Sequence, residues 1–140
     1  MGSFTLSLSQ SLSGLPAFLV YFATSLALLA LFAVVYGRIT PYREHTLIRE
    51  GNVAAAISLA GALIGFVLPL ASAVAHSVNL LDMLVWALIA LVAQIIVYVV
   101  VGRIVPHFAQ AIEAGKVAPA TLLAAIAVVV GLLNAAALTY

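Results

Sequence analysis

The stretch GRITPYREHTLIREGNVAAA, residues 37–56, decides how this chain folds. It holds five of the chain's nine Lys, Arg, Asp and Glu residues, and a weaker copy, GRIVPHFAQAIEAGKVAPA, follows at residues 102–120. Because the sequence around these two segments is almost entirely apolar, they mark the places where the chain crosses from a membrane into water. The fold is therefore organised around two polar connectors between apolar helices.

The composition assigns the chain to the membrane proteins. Of its 140 residues, 66% are hydrophobic and only 6% are charged, and the mean hydropathy is +1.31. A soluble domain of this size needs a charged shell, which this chain lacks, so lipid is its solvent. The net charge of +1 and the scattered basic residues argue against nucleic acid as a partner. The absence of cysteine excludes disulfides and thiolate metal sites.

Four apolar runs are long enough to cross a bilayer as helices, which takes about 20 residues each at about 1.5 Å per residue. The predicted spans lie at about 15–36, 53–75, 83–101 and 117–138. Residues 1–14, MGSFTLSLSQSLSG, contain no Lys or Arg and are predicted to be a retained, translocated N-terminal tail. Tyr21 and Tyr36 are predicted to lie in the interfacial aromatic belts. The predicted fold class is all-α integral membrane.

The first connector is predicted to contain a short helix that lies on the membrane surface at the interface. Thr40 is interpreted as its N-cap, Pro41 as its first residue and Gly51 as its end. Asn52 is predicted to cap the transmembrane helix that follows. Helical spacing places three residues on one face of the short helix, namely Tyr42, His45 and Ile48.

The two connectors also indicate an internal repeat. The sequence Gly-Arg-Ile and the proline after it recur at an offset of 65 residues, and the pattern Gly-x-Val-Ala recurs at an offset of 64. We therefore predict two tandem two-helix modules, 15–78 and 79–140, each with a short cytosolic interfacial helix. Since each module makes an even number of crossings, both have the same orientation and form a parallel repeat.

The basic residues predict the orientation. All five lie on the connectors: Arg38, Arg43, Arg49, Arg103 and Lys116. The positive-inside rule makes that side cytoplasmic. Both termini are therefore predicted to be periplasmic, in a multi-pass protein of the bacterial inner (plasma) membrane.

The second span carries a stripe of small and polar residues. Steps of three or four residues bring to one face Ser58, Gly61, Gly65, Pro69 and Ser72. Gly131 belongs to a similar stripe on the fourth span. One interpretation is a helix-packing seam, since a GxxxG pair lets helices approach closely in lipid. The other is a polar face that lines a solvated path, with His76 at its outer mouth.

Four polar residues are candidates for such a path: His76, Asp82, Gln94 and Asn134. Asn79 and Asp82 are also spaced as a helix cap with a carboxylate that reaches back to it. Gln94 is expected to make a hydrogen bond between helices, with a ligand contact as the alternative. Asn134 is interpreted as a cap, a partner of another helix or a cavity-lining residue.

The sequence predicts no enzymatic activity, no cofactor and no catalytic or metal-ligating residues. It has no acid and base pair at depth, no cluster with metal-ligand spacing and no glycine-rich phosphate loop. The three histidines, His45, His76 and His107, are dispersed. Under the predicted orientation they lie on opposite sides of the membrane and cannot share one metal.

The segments GNVAAA at residues 51–56 and LPLASAVAHS at residues 68–77, with the terminal VGLLNAAALTY, resemble the bacterial YjfL-like family, domain of unknown function 350. The resemblance covers the chain from about Leu15 to Tyr140. It implies an inner-membrane protein of two tandem modules without an established activity. Relatives in that family are often encoded near phage-shock-type and ATP-grasp genes, which implies a link to envelope stress.

Two functions of different class remain open. The first is a self-associating structural or adaptor membrane protein that offers a cytosolic surface to a protein partner. The candidate residues of that surface are Arg43, Glu44, Arg49 and Glu50. The alternative is a pore-forming or transport subunit that is active only as a homo-oligomer, since four helices alone leave no room for a lumen.

Overall fold

The computed structural model describes residues 1–138, and this part of the chain is all-helical, with no strand. Its helices are α1 (Gly2–Leu12), α2 (Leu15–Ile39), α3 (Glu44–Arg49), α4 (Val53–His76), α5 (Leu80–Ile104), α6 (Phe108–Glu113) and α7 (Val117–Ala137). The predicted end of the second module at residue 140 lies outside the described residues.

Within residues 1–138, four helical stretches are long and apolar enough to cross a membrane, which confirms the predicted all-α membrane class. They are α4, α5, α7 and the combined α1 and α2, which run from Gly2 to Ile39. Only Ser13 and Gly14 separate α1 from α2, and α1 buries none of its residues. The predicted N-terminal tail is therefore a helix that leads into α2 without packing against the bundle.

The first connector helix begins later than predicted. Thr40 is the C-cap of α2 and not the N-cap of α3: its backbone is extended, and its Oγ1 donates to the carbonyl oxygen of Gly37 at 3.0 Å. Pro41 explains this ending, because a proline disfavours the helical conformation of the residue before it. The helix α3 then starts at Glu44. The prediction that Thr40 caps α3 was wrong.

The central helix of the bundle is α4, which buries ten of its 24 residues, Pro69 among them. It packs along α7 and also contacts α2, α3, α5 and α6. Positions that meet across the contact with α7 rise together in both helices, from Gly61 against Ala124 to Ser72 against Ala135. The helices α4 and α7 therefore run in the same direction.

The two short helices lie at the same end of the bundle, called the connector end below. Asn52, at the start of α4, donates from Nδ2 to the carbonyl oxygen of Ile112 in α6 at 2.8 Å. Its Oδ1 accepts from the N–H of Ala55 at 3.0 Å, which confirms the predicted cap. Gly51 and Gly115 follow α3 and α6 with φ of 87° and 77°, a left-handed conformation that favours glycine. Both halves thus have the order long helix, short helix, glycine, long helix.

Aromatic side chains fill the space between α2 and α4. Phe32 and Phe66 stack with ring centroids 4.7 Å apart, and Tyr36 stacks on Phe32 at 6.0 Å. Tyr36 is 1% exposed, so its predicted place in an interfacial belt was wrong. Its hydroxyl finds a partner inside the bundle at Ser58, which removes the need for water.

Candidate functional site

The glycines of the predicted packing seam lie where α4 and α7 approach most closely. A Cβ atom added to Gly61 would overlap Ala124, and one added to Gly65 would overlap the carbonyl group of Ala127. Gly131 lies against the backbone of Gly65 in the same way. Small residues permit such close approach of backbones in lipid. The small-residue faces of α4 and α7 therefore cover each other within one chain.

Two serines of the stripe have different surroundings. Ser72 Oγ donates to the carbonyl oxygen of Ala135 at 2.9 Å and ties α4 to α7 near the end opposite the connectors. Ser58 is buried, and its hydroxyl lies 3.0 Å from the Tyr36 hydroxyl and 3.2 Å from the Tyr42 hydroxyl. The stripe therefore combines a seam toward α7 with a polar contact at the connector end.

Gln94 joins three helices in the middle of the bundle. Its Nε2 donates to the carbonyl oxygens of Gly65 in α4 and Ala127 in α7, the latter at 3.2 Å. This confirms the expected hydrogen bond between helices. Gln94 Oε1 and Asn134 Nδ2 are buried with no hydrogen-bond partner among residues 1–138. Each side chain therefore keeps one unused polar atom inside the bundle.

His76 and Asp82 lie at the end opposite the connectors. Asp82 accepts from the N–H of Val78 at 3.0 Å, and its own N–H donates to Asn79 Oδ1 at 2.9 Å. The second bond confirms Asn79 as the cap of α5, and in the first the Asp82 carboxylate reaches back to the residue before that cap. His76 is exposed, and its Nδ1 lies 2.9 Å from the carbonyl oxygen of Ser72. Both residues thus interact with the ends of the helices that carry them.

Three hydroxyl groups meet beneath the first connector, and we call Tyr36, Tyr42 and Ser58 the hydroxyl cluster. Tyr98 packs edge-on against Tyr36, with ring centroids 4.9 Å apart. Tyr36, Ser58, Tyr98 and Gln94 help to line a cavity of about 10 Å³, room for about one water molecule. Polar groups of the first half are therefore gathered at the connector end and satisfied mainly by one another.

Glu44, the first residue of α3, is buried beside the hydroxyl cluster. It is 7% exposed, and its Oε1 has no hydrogen-bond partner within the described range. Burial raises the pKa of Glu44 to about 7, although the hydroxyls of Tyr36 and Tyr42 favour the charged form. Burial also raises the pKa of the Tyr42 hydroxyl. The connector end thus contains a carboxyl group that changes its protonation near neutral pH.

The burial of Glu44 corrects the predicted partner surface. The other three residues of that surface are exposed: Arg43, Arg49 and Glu50. Glu44 packs under α3 instead and is not part of the exposed outer surface. The candidate surface is therefore reduced to the three exposed charges.

The predicted shared face of Tyr42, His45 and Ile48 on the short helix was also wrong. Tyr42 precedes α3, so helical spacing does not relate it to His45, which is exposed. The inward residues are Glu44, Leu47 and Ile48, at the spacing that places side chains on one helical face. The carboxyl group of Glu44 therefore lies on the inward face of α3 and not on the surface as predicted.

Two of the grooves that open at the connector end lie at corresponding places beside the two short helices. The first groove, between α2 and α3, has a volume of about 700 Å³, and its lining includes Gly37, Arg43, Glu44, His45, Thr46 and Ile48. The second groove, beside α5 and α6, has a volume of about 400 Å³, and its lining includes Tyr98, Gly102, His107, Phe108, Ala109 and Gln110. Most of these positions correspond at an offset of 64 or 65 residues. The two grooves therefore lie at corresponding positions of the sequence, and they differ mainly in the charge of their lining residues.

Sequence reasoning missed the hydroxyl cluster because each member had another interpretation. Tyr36 was assigned to a belt, Tyr42 to a surface helix and Ser58 to a seam. One signal was present: two tyrosines and Glu44 lie within nine residues at the end of an apolar span. A carboxyl group that leaves water needs such hydroxyl partners. Among residues 1–138, no three His, Cys, Asp or Glu side chains are close enough to share a metal ion.

Comparisons with known proteins show what this chain is similar to. The family model described as Domain of Unknown Function (DUF350) matches residues 10–138. The chain is 35% identical to inner membrane protein YjfL from two strains of Escherichia coli, over 92% of this chain and 98% of those proteins. It is 26% identical to transmembrane protein YshE from Bacillus subtilis, over 63% of this chain and 66% of that protein. No solved structure matches the chain.

Proposed function

This chain belongs to the family Domain of Unknown Function (DUF350), and from that premise we propose that it is a structural or adaptor protein of the inner membrane. In this proposal the four-helix bundle is the anchor, and the exposed charges of the first connector bind a cytosolic protein. The proposal assigns the protein no reaction. The link to envelope stress that the family resemblance implies gives this role its setting.

The observation that supports this role is the contrast between a closed interior and an exposed charged end. Glycines bring the backbones of α4 and α7 into contact along the middle of the bundle. The cavity beside the hydroxyl cluster has room for about one water molecule. At the connector end, Arg43, Arg49 and Glu50 are exposed. Such an arrangement suits anchoring and docking better than conduction through a single chain.

The proposal includes an orientation and a duplication. All five basic residues are on the connectors, so the connector end faces the cytoplasm and both termini face the periplasm. The helices α3 and α6 then lie at the cytoplasmic interface. The recurrence of long helix, short helix and left-handed glycine at offsets of 64 and 65 residues supports a parallel duplicated unit.

We assign self-association to α2. This helix buries only Leu28, Phe32 and Tyr36 among its 25 residues, fewer per residue than α4 or α5. Its exposed side carries a stacked aromatic pair, Phe18 and Phe22, with ring centroids 5.5 Å apart. The small-residue stripes of α4 and α7 already cover each other and are not free for a second copy. A second copy therefore meets α2.

Photo-crosslinking tests the partner surface in the full chain. A photoreactive residue at position 49 or 50 should capture a cytosolic protein in cells, and the same residue at the exposed Val78, at the opposite end, should not. Exchanging the charges with Arg49→Glu and Glu50→Arg should abolish binding of that protein. Equal capture from both ends, or capture that survives the charge exchange, would contradict the adaptor role.

Cysteine crosslinking tests self-association, since the chain contains no cysteine of its own. Phe22→Cys on α2 should give a disulfide-linked dimer on mild oxidation in membranes. Leu132→Cys on α7 is the matched control, because its side chain is 59% exposed against 53% for Phe22. Equal dimer yields at the two positions would show random collision and not a specific contact through α2.

The alternative function, a pore formed by several copies, predicts ion flux through liposomes that contain the purified protein. We expect no flux above that of empty liposomes. Sustained flux that Phe22→Ala reduces would overturn the structural role in favour of the pore. Gly65→Leu is unsuitable for this experiment, because it disrupts the contact between α4 and α7 in any oligomer.

A further inference from the structure

The two grooves occupy corresponding places, yet only the first carries full charges. The first groove has Arg43, Glu44, His45 and Thr46 where the second has His107, Phe108, Ala109 and Gln110. The ring of Phe108 also packs near Tyr42, with centroids 6.5 Å apart. The same backbone site is therefore larger and lined by Arg43 and Glu44 in the first half, and smaller and without Lys, Arg, Asp or Glu in its lining in the second.

The lining of the first groove has two chemically distinct parts. Ala33 and Leu59 give it an apolar wall on the long helices α2 and α4. At the connector end it presents one guanidinium group, from Arg43, and one carboxyl group, from Glu44, with His45 beside them. A ligand that matches this lining has an apolar part and a head group with both a positive and a negative charge.

Glu44 indicates where the positive charge of that head group lies. Glu44 is only 7% exposed, and it lines the groove. Its Oε1 has no hydrogen-bond partner in residues 1–138. A buried carboxyl oxygen without a donor is unfavourable. An ammonium group that enters through the groove supplies both a donor and a counter-charge.

We propose that the first groove binds the head group of a zwitterionic aminophospholipid, with its ammonium group at Glu44 and its phosphate at Arg43. The acyl chains then follow Ala33 and Leu59 into the surrounding lipid. A soluble zwitterion leaves this apolar wall unused. A singly anionic lipid without an amine offers no counter-charge to the carboxylate. The charge pattern therefore selects a lipid such as phosphatidylethanolamine.

Protonation of Glu44 competes with the lipid, because only the carboxylate attracts an ammonium group. Burial raises the pKa of Glu44 to about 7, so the apparent affinity should be weaker at pH 6 than at pH 8. The titratable or charged groups around Glu44 are Tyr36, Tyr42, Arg43, His45 and Tyr98. His45→Gln separates a contribution of that imidazole from the effect of Glu44.

The test measures the thermal stabilisation of the purified full chain in nonionic detergent as lipid is added. Phosphatidylethanolamine should raise the melting midpoint. Phosphatidylglycerol lacks the ammonium group, and phosphatidylcholine has one that cannot donate a hydrogen bond, so both should raise it much less. Arg43→Gln and Glu44→Gln should each weaken the apparent affinity for phosphatidylethanolamine by about tenfold, the effect of losing one charge-assisted hydrogen bond.

His107→Gln is the matched control, because His107 occupies the place of Arg43 in the second groove. It should leave the affinity unchanged. Arg43 is exposed, so Arg43→Gln tests the site even where Glu44→Gln alters the fold. Equal stabilisation by the three lipids would overturn the choice of head group, and equal losses for Arg43→Gln and His107→Gln would overturn the location. Neither result depends on crosslinking at positions 49 and 50, so this site and the adaptor role fail separately.

Discussion

The two halves of the chain have the same order of helices and differ in what they bury at the connector end. In the first half, the hydroxyl cluster lies beside the carboxyl group of Glu44. Tyr36, Glu44 and Ser58 correspond in the second half to Val101, Phe108 and Leu122. Each replacement exchanges a polar side chain for an apolar one. The second half therefore builds the same sequence of elements without a buried polar cluster.

This difference indicates that the polar cluster is not needed to form the fold. The helix α6 has the same six-residue length as α3, and a glycine of the same left-handed conformation follows each of them. The helix α6 contacts the next long helix without a buried carboxyl group. A buried ionisable group usually lowers stability unless it is paired. The second half forms its helices at the connector end without these buried polar residues. We therefore expect function where the first half has them.

Breaking the seam that joins the halves should have the largest effect. Gly65→Leu places a side chain against the carbonyl group of Ala127 and the amide of Gln94. We expect it to reduce the free energy of unfolding by about 4 kcal/mol or more, the range of severe overpacking. Thermal denaturation in detergent measures the change.

Gly102→Leu is the matched control for the seam, because a Cβ atom at Gly102 meets nothing within 4 Å. Both changes replace a glycine inside a helix and gain about 1 kcal/mol of helix propensity. Gly102→Leu should therefore leave the melting midpoint unchanged or raise it. Equal melting midpoints for the two variants would contradict the close contact between α4 and α7.

Replacing Glu44 by glutamine should remove a pH-dependent loss in the free energy of unfolding. The pKa of Glu44 rises from its ordinary 4.5 to about 7 on folding, so the unfolded chain loses the proton first as the pH increases. The stability of the wild type therefore falls between about pH 4.5 and pH 7 and stays reduced above that range. Glu44→Gln lacks this loss and should be more stable than the wild type at pH 8 by about 2 to 3 kcal/mol.

The gain from Glu44→Gln should shrink as the pH falls toward 4.5 and vanish below it, where the wild-type carboxyl group is protonated in both states. Glu50→Gln removes an exposed carboxylate nearby and is the matched control. Denaturation midpoints measured from pH 5 to pH 8 in detergent without phospholipid separate the two. A constant difference across this range would show that Glu44 is not the titrating group.

The sequence predicted the parts of this structure that depend on periodicity. The spacing of Gly61 and Gly65 indicates a close helix contact, because a GxxxG pair has this effect on any helix. It does not identify the partner, since α5 and α7 are both apolar and both follow in the chain. The partner is selected by residues far away in sequence, Ala124 and Ala127 among them.

The candidate site was harder to predict because it depends on a boundary. Placing the start of α3 at Pro41 and not at Glu44 counts Tyr42 as helical and puts it on one face with His45 and Ile48, whereas Tyr42 precedes α3. Glu44 was therefore assigned to the surface, where charged residues usually lie. The hydroxyl groups that permit its burial come from α2, the connector and α4, which no local pattern brings together.

Dismantling the hydroxyl cluster should have a moderate effect. Ser58→Ala leaves the buried hydroxyls of Tyr36 and Tyr42 without their common partner. We expect a loss of about 1 to 2 kcal/mol in the free energy of unfolding. Leu122→Ala, at the corresponding and exposed position of the second half, should have little effect. In a double-mutant cycle, Ser58→Ala and Tyr36→Phe should be less than additive, and full additivity would contradict the shared hydrogen bond.

The N-terminal ends of α4 and α7 should show the smallest difference between the halves. Asn52 caps α4 through Ala55 and also donates to α6, whereas Lys116, at the corresponding position, makes no side-chain cap of α7. Asn52→Ala should lower the free energy of unfolding by about 1 kcal/mol, the usual value of an N-cap, and Lys116→Ala should leave it unchanged. Asn52→Lys should behave like Asn52→Ala in the same denaturation experiment, because a lysine side chain has no acceptor for the N–H of Ala55. If Asn52→Lys left the free energy of unfolding unchanged, the hydrogen bonds of the Asn52 amide would not stabilise the contact between the two connectors. The difference between the halves would then lie in the two grooves.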